Sequence, residues 1–274
     1  MDGVVIPVHD VNPVRRVPWM TYGLIAANVI IFLRTPASAM IGIEELSLGD
    51  LCRQEAFFGH YGAIPDEMLH NTQLPLVPTG EVGAGQTCVI GAPSYEKIPA
   101  LSVLYSMFLH GGWLHLLGNM LFLFVFGNNI EDRWGKLRFL AFYLITGYIA
   151  AYGFALANPD ATVPLVGASG AVSGVLGAYL ILYPGARVWS LVPILLFIPL
   201  KLPAWIVLGT WFVLQYLYAT GSGVTDGGSV AYLAHVIGFA FGVLIAIVAR
   251  AAQPPPPRHD GPPPPIVYSK RHWR

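Results

Sequence analysis

Apolar positions in this chain fall in long runs rather than in strand-like alternation. A helix needs roughly 20 mainly apolar residues to cross about 30 Å of hydrocarbon. Six stretches reach or approach that length: Val17–Leu33, Trp113–Asn128, Leu137–Ala157, Val163–Tyr183, Pro203–Ala219 and Ser229–Ala249. The pattern predicts an all-α, polytopic membrane protein, a bundle of six transmembrane helices. The segment Arg187–Leu202 is also apolar, but Pro193 and Pro199 would break a spanning helix. It is expected to be a membrane-surface or re-entrant connection. The first stretch follows Arg15 and Arg16, exceeds the apolar core of a signal peptide and is not directly followed by a small-residue cleavage motif. It is therefore expected to be a retained span.

Composition agrees with this class. Of 274 residues, 55% are hydrophobic and 11% charged, against about 25% charged in soluble domains. Mean hydropathy is +0.59. These values exclude a disordered chain. A formal net charge of +0 argues against a nucleic-acid partner. Charge becomes informative once sorted by span. With the amino terminus inside, twelve of the 15 cations fall inside, while Arg34, Arg53 and Lys97 fall outside. That asymmetry satisfies the positive-inside rule. It places both termini in the cytoplasm, with a bacterial-type plasma membrane as the expected location.

The domains expected are a cytoplasmic segment 1–16, a membrane domain 17–250 and a cytoplasmic tail 251–274. The loop of about 35–99 lies outside and holds both cysteines, Cys52 and Cys88. Two cysteines are too few for a four-ligand zinc site, and no metal or cofactor is expected. On the oxidising side they either form a disulfide or remain two free thiols. The tail carries Pro254–Pro257 and Pro262–Pro265, an extended polyproline pattern whose partner the sequence does not identify.

Polar side chains in hydrocarbon are costly and mark function by default. Few occur: His115 and Asn119 in the second span, Ser169 and Ser173 in the fourth, and His235 in the sixth. Thr146 and Thr210 are less informative, because a threonine hydroxyl can bond its own helix backbone. Ser169 sits in Gly-Ala-Ser-Gly at 167–170, and Gly170, Gly174 and Ala178 form a stripe of small residues suited to close helix packing. His235, Gly238 and Gly242 share one helical face. Ser169 and His235 each lie six residues into spans running the same way, about 9 Å below the outer boundary at helical rise. Matched depth can bring hydroxyl and imidazole together as nucleophile and base. His115 and Asn119, spaced i, i+4, offer donors suited to an oxyanion site or, alternatively, a plain interhelical pair.

Three separated motifs coincide here: His110-x4-His115-x3-Asn119 followed by Gly127 and Glu131, Gly-Ala-Ser-Gly at 167–170, and Ala234-His235-x2-Gly238-x3-Gly242. The pattern over about 17–250 resembles the rhomboid intramembrane serine proteases. The resemblance implies Ser169 as nucleophile and His235 as general base, without an acidic third member. It implies His115, Asn119 and the Ser169 backbone N–H as the oxyanion hole, and Gly238 and Gly242 as the glycines that admit the serine helix. It further implies that loop 35–99 lies partly in the outer leaflet and that the fifth span is a mobile gate. Substrates would be transmembrane segments of other membrane proteins. Some members carry an aromatic residue four positions after the nucleophile, where this chain has Ser173. An inactive, client-binding relative would lack Ser169 or His235. A small transporter would spread polar residues through the whole depth.

Overall fold

The computed structural model describes residues 6–39, 47–83, 85–192, 198–221 and 231–252. Ser229 and Val230 of the sixth apolar stretch, Pro193, and the proline-rich tail from Gln253 lie outside these described residues. The fold is predominantly helical. Among the described residues, three helical runs are long and apolar enough to cross a membrane: Trp113–Trp134, Lys136–Ala157 and Tyr232–Ala251. Trp19–Phe32, Ser169–Leu182 and Ala204–Ala219 are shorter apolar helices.

In chain order the helices are α1 (Trp19–Phe32), α2 (Leu48–Tyr61), α3 (Pro65–His70), α4 (Pro99–Ser106), α5 (Trp113–Phe122), α6 (Asn128–Trp134), α7 (Lys136–Ala157), α8 (Ser169–Leu182), α9 (Ala204–Ala219) and α10 (Tyr232–Ala251). A π-helical turn, Leu123–Gly127, joins α5 to α6. The strands are β1 (Ile6–Asp10), β2 (Val77–Val82), β3 (Cys88–Gly91), β4 (Arg187–Val192) and β5 (Ile198–Pro203). α8 sits at the centre, and Ala171 through Tyr179 are all buried.

Two expectations need correction. The chain is not all-α: β1, β4 and β5 form an antiparallel sheet in the order β1-β4-β5, and β2 pairs with β3. The prolines of 187–202 do prevent a spanning helix, but the segment pairs as strands. Val188 and Ser190 are buried while Trp189 between them is exposed, the period of a half-buried strand. Pro199 and Pro203 lie on β5, the sheet edge, where a missing N–H breaks no ladder. The second correction concerns the fourth span. Its helix begins at Ser169 rather than Val163, because Leu165 is extended and pairs with Ala63 before the turn at Gly167.

The segment before α1 is bound into the fold. The buried Asp10 carboxylate accepts hydrogen bonds from Asn129 Nδ2 and the Tyr179 hydroxyl, both at 2.7 Å. Burial pushes the Asp10 carboxyl above the usual carboxylate range. Glu131 caps α1 from a distance. Its carboxylate accepts from Met20 N at 3.0 Å, Thr21 N at 2.7 Å and Thr21 Oγ1 at 2.8 Å. α1 starts after Pro18 with no capping side chain of its own, so these N–H groups would otherwise be orphaned.

At the opposite end, 35–99 forms a subdomain of α2, α3 and the β2–β3 hairpin. A disulfide between Cys52 and Cys88 ties α2 to β3. Lys97 and Glu67 form an ion pair at 2.6 Å with side chains 3% and 0% exposed. Lys97 Nζ also donates to Gly59 O at 2.8 Å, and Glu67 accepts from Leu74 N at 3.0 Å. Burial holds the Lys97 ammonium below the usual lysine range, while the neighbouring carboxylate opposes that shift.

Removing one partner of a buried pair leaves an uncompensated charge, which costs about 3–5 kcal/mol. Lys97→Met should therefore lower the thermal unfolding midpoint in detergent markedly. The double change Lys97→Met, Glu67→Leu should recover most of that loss.

Candidate active site

α8 and α10 touch backbone to backbone. A Cβ placed on Gly238 would fall onto the carbonyl oxygen of Gly170, and one on Gly242 onto that of Gly174. On the facing side, a Cβ on Gly177 would meet the Phe239 carbonyl oxygen. Any larger residue at these points would drive the helices apart. Gly170 is also hemmed in by Ala150 of α7, whose Cβ lies 2.7 Å from the site of an added Cβ. Small residues let helices approach closely where hydrophobic driving force is weak.

This approach sets the geometry at the N-terminal ends of the two helices. Ser169 is the first residue of α8, and His235 lies in the first turn of α10. Ser169 Oγ and His235 Nε2 are 2.7 Å apart. The two residues share a level because both stand near helix starts, not because each lies six residues inside a span. As the first residue of α8, Ser169 has a backbone N–H with no intrahelical partner.

Gly167 makes the turn into α8 with φ of +129°, a conformation that disfavours any other residue. A Cβ there would stand 2.8 Å from the His115 ring and 3.4 Å from Ser169 Oγ. The imidazole edge of His115 therefore faces the serine across the space glycine leaves open. Gly111 N donates to His115 Nδ1 at 3.4 Å. With Nδ1 accepting, a neutral ring carries its proton on Nε2, one of the two ring atoms on the Gly167 side. Asn119 donates one amide N–H to the His115 carbonyl at 2.9 Å, which fixes its side chain along α5.

A cavity of about 1510 Å³ joins these groups. Ser169, His235, His115 and Asn119 all line it, together with Phe58 of α2, Val77 of β2 and Trp113 and Phe122 of α5. Ser173 also borders the cavity, but it is 1% exposed and its hydroxyl donates to the Ser169 carbonyl at 2.6 Å. Thr146 and Thr210 likewise bond the backbone of their own helices.

Two residues at the site escaped the sequence reading. Trp211 of α9 stacks on His235 at 6.1 Å between ring centroids, supplying from another helix the aromatic support that Ser173 lacks. Gln215, one turn further along α9, places Oε1 2.6 Å from His235 Nδ1. Both lie in an apolar, aromatic span, WFVLQYLYAT, whose only strongly polar side chain before the terminal threonine is that glutamine. A lone intramembrane amide is a signal that could have been used.

Comparison with known proteins adds an independent finding. A family model described as Rhomboid domain matches residues 100–252, more than half of the chain. The chain belongs to the rhomboid family. It is accordingly an integral membrane protein. RHOMBOID-like protein 5 of Arabidopsis thaliana is 30% identical over 174 residues, covering 61% of this chain and 52% of the relative. Rhomboid protein 1, mitochondrial, of Saccharomyces cerevisiae is 33% identical over 149 residues, 53% of this chain and 40% of the relative. Rhomboid-like protease 5 of Toxoplasma gondii is 42% identical over 76 residues, 28% of this chain and 9% of the relative. The chain thus spans about half or less of the length of these curated relatives. Of the three motifs, all of Gly-Ala-Ser-Gly, the histidine–asparagine pair and the histidine–glycine face fall inside the matched rhomboid region.

The helix contact yields a paired prediction. Gly242→Ala should destabilise the protein by about 1–3 kcal/mol, because overpacking forces the backbones apart. Gly209→Ala on α9, where an added Cβ meets nothing within 4 Å, should be neutral or gain up to about 1 kcal/mol through helix propensity. Thermal unfolding of both variants in detergent checks the contrast.

Proposed function

We propose that this chain is an intramembrane serine endopeptidase that cleaves transmembrane segments of membrane proteins near the outer face. The observation that carries the reading is the 2.7 Å contact between Ser169 Oγ and His235 Nε2 on the wall of a large cavity. In this reading Ser169 is the nucleophile and His235 the general base. His235 takes the hydroxyl proton as Oγ attacks the scissile carbonyl carbon. The Ser169 N–H and His115 Nε2–H stabilise the oxyanion, with Asn119 bracing the His115 turn of α5 and adding a second amide hydrogen. The proton then passes to the leaving amine, and water from the cavity hydrolyses the acyl-enzyme. His235 must be neutral to begin, so activity falls on acidification.

The depth of the site follows from α8. A 14-residue helix extends about 21 Å, less than the roughly 30 Å of hydrocarbon. An α8 anchored at the inner face therefore starts below the outer boundary, and water reaches Ser169 through the cavity. A substrate helix has its backbone hydrogen bonds satisfied and must unwind locally before attack. Substrates with Gly or Pro near the cleaved bond meet a lower cost.

We further propose that all six apolar helices cross the membrane over 17–250, with 1–16 and 251–274 on the cytoplasmic side of a bacterial-type plasma membrane. Support comes from the segregation of cations. An inactive, client-binding role is disfavoured because both Ser169 and His235 are present and in contact.

Cleavage of a model transmembrane substrate in liposomes tests the activity. Ser169→Ala and His235→Ala should each reduce it by at least about 10³-fold, since the two residues act as one unit. Activity near the original level in either variant sinks the assignment.

A further inference from the structure

His235 has a second hydrogen-bonding nitrogen that the serine–histidine pair leaves unassigned. Its Nδ1 lies 2.6 Å from Oε1 of Gln215. An amide oxygen can only accept, so Nδ1 carries the proton and Nε2 is left with a lone pair. That lone pair faces Ser169 Oγ at 2.7 Å. Gln215 is 7% exposed, so water does not substitute freely for its oxygen. Trp211, four residues earlier and hence on the same face of α9, stacks on the His235 ring. Tyr232 closes a second side edge-on, with ring centroids 6.2 Å apart. The imidazole is thus held by a ring contact against its face and by a polar contact at Nδ1, both from α9.

Resting on the serine endopeptidase reading, we propose that Gln215 is the positioning residue of this site, its side-chain oxygen holding His235 in the tautomer and orientation that accept the Ser169 proton. In soluble serine hydrolases a carboxylate does this work at the same nitrogen. A carboxylate buried at this depth would carry a large desolvation cost unless paired with a charged imidazole. An amide oxygen fixes the tautomer without bringing an uncompensated charge into an apolar bundle. It does less than a carboxylate to stabilise the imidazolium formed during attack, so the gain is chiefly in orientation. The contact also makes the site a product of three helices: α8 brings the nucleophile, α10 the base, and α9 the group that orients the base.

The test compares Gln215→Leu with Gln215→Glu in the full-length protein in detergent. Two readouts are taken: kcat and KM on a model transmembrane substrate, and the rate of labelling by a small fluorophosphonate. The probe needs an activated serine but no helical substrate, so it separates positioning of His235 from substrate admission. Loss of the acceptor in the Leu variant should lower kcat and labelling rate together by about 10- to 100-fold, part of the ~10²–10⁴ a general base contributes. KM should stay nearly unchanged. The Glu variant keeps an acceptor and should recover most of both rates at neutral and alkaline pH. Thermal unfolding midpoints establish that the variants are folded, and Gln215→Met, which also lacks an acceptor, replaces Leu if that variant does not fold.

Three results overturn the proposal. One is labelling at the original rate in the acceptor-less variant, whatever happens to cleavage, which would make Gln215 a packing or admission residue. Another is a Glu variant as slow as the Leu variant. The third is a rise in KM with kcat unchanged. Ser169→Ala, run alongside, separates this from failure of the underlying reading: cleavage that survives that change removes Ser169 as the nucleophile, whereas its loss with a normal Gln215→Leu removes only the role of Gln215.

Discussion

The contact between α8 and α10 sets everything at the site. Carbonyl oxygens of Gly170 and Gly174 occupy the places where side chains of Gly238 and Gly242 would begin. Two helices can lie this close only when both lack Cβ atoms at the crossing. The consequence appears beside the contact, where Ser169, next to Gly170, and His235, about one turn before Gly238, meet at hydrogen-bond distance. A methyl group at any of these glycines acts on that distance without touching either residue. α7 limits retreat on the other side, since Ala150 packs against Gly170.

The remaining structure holds this pair between two polar closures. At one end, Asp10 gathers Asn129 and Tyr179, and β1 pairs with β4, so the segment before α1 is fastened to the C-terminal half of α8. Glu131 satisfies the free N–H groups at the start of α1. At the other end, the Cys52–Cys88 disulfide and the Lys97–Glu67 pair consolidate a subdomain whose Phe58 and Val77 wall the cavity. The carboxylates named in both places are paired, as a low-dielectric surrounding requires.

Much of this was legible in the chain itself. Long apolar runs locate the helices because hydrocarbon tolerates little else, and the rarity of polar residues makes Ser169, His235, His115 and Asn119 conspicuous. Other features were hidden for physical reasons. Hydropathy cannot tell an extended apolar segment from a helical one, so residues 163–168 read as part of a span although the helix starts at Ser169. The prolines of 187–202 declared a break but not a sheet, because the partner strand β1 lies about 180 residues away in sequence. Trp211 gains meaning only from the side of α9 that faces His235, a tertiary fact, and the lone amide of Gln215 marks a polar position without naming its partner. Ser173 illustrates the converse: its spacing from Ser169 is conspicuous, yet its hydroxyl is spent on the Ser169 carbonyl.

The central claim is that His235 activates Ser169. The most direct measurement is mass-spectrometric mapping of a fluorophosphonate adduct on the intact protein in detergent. The account predicts a single adduct approaching one per chain, on the peptide containing Ser169, and its disappearance in His235→Ala. An adduct on a different residue, or undiminished modification of Ser169 without His235, would contradict it.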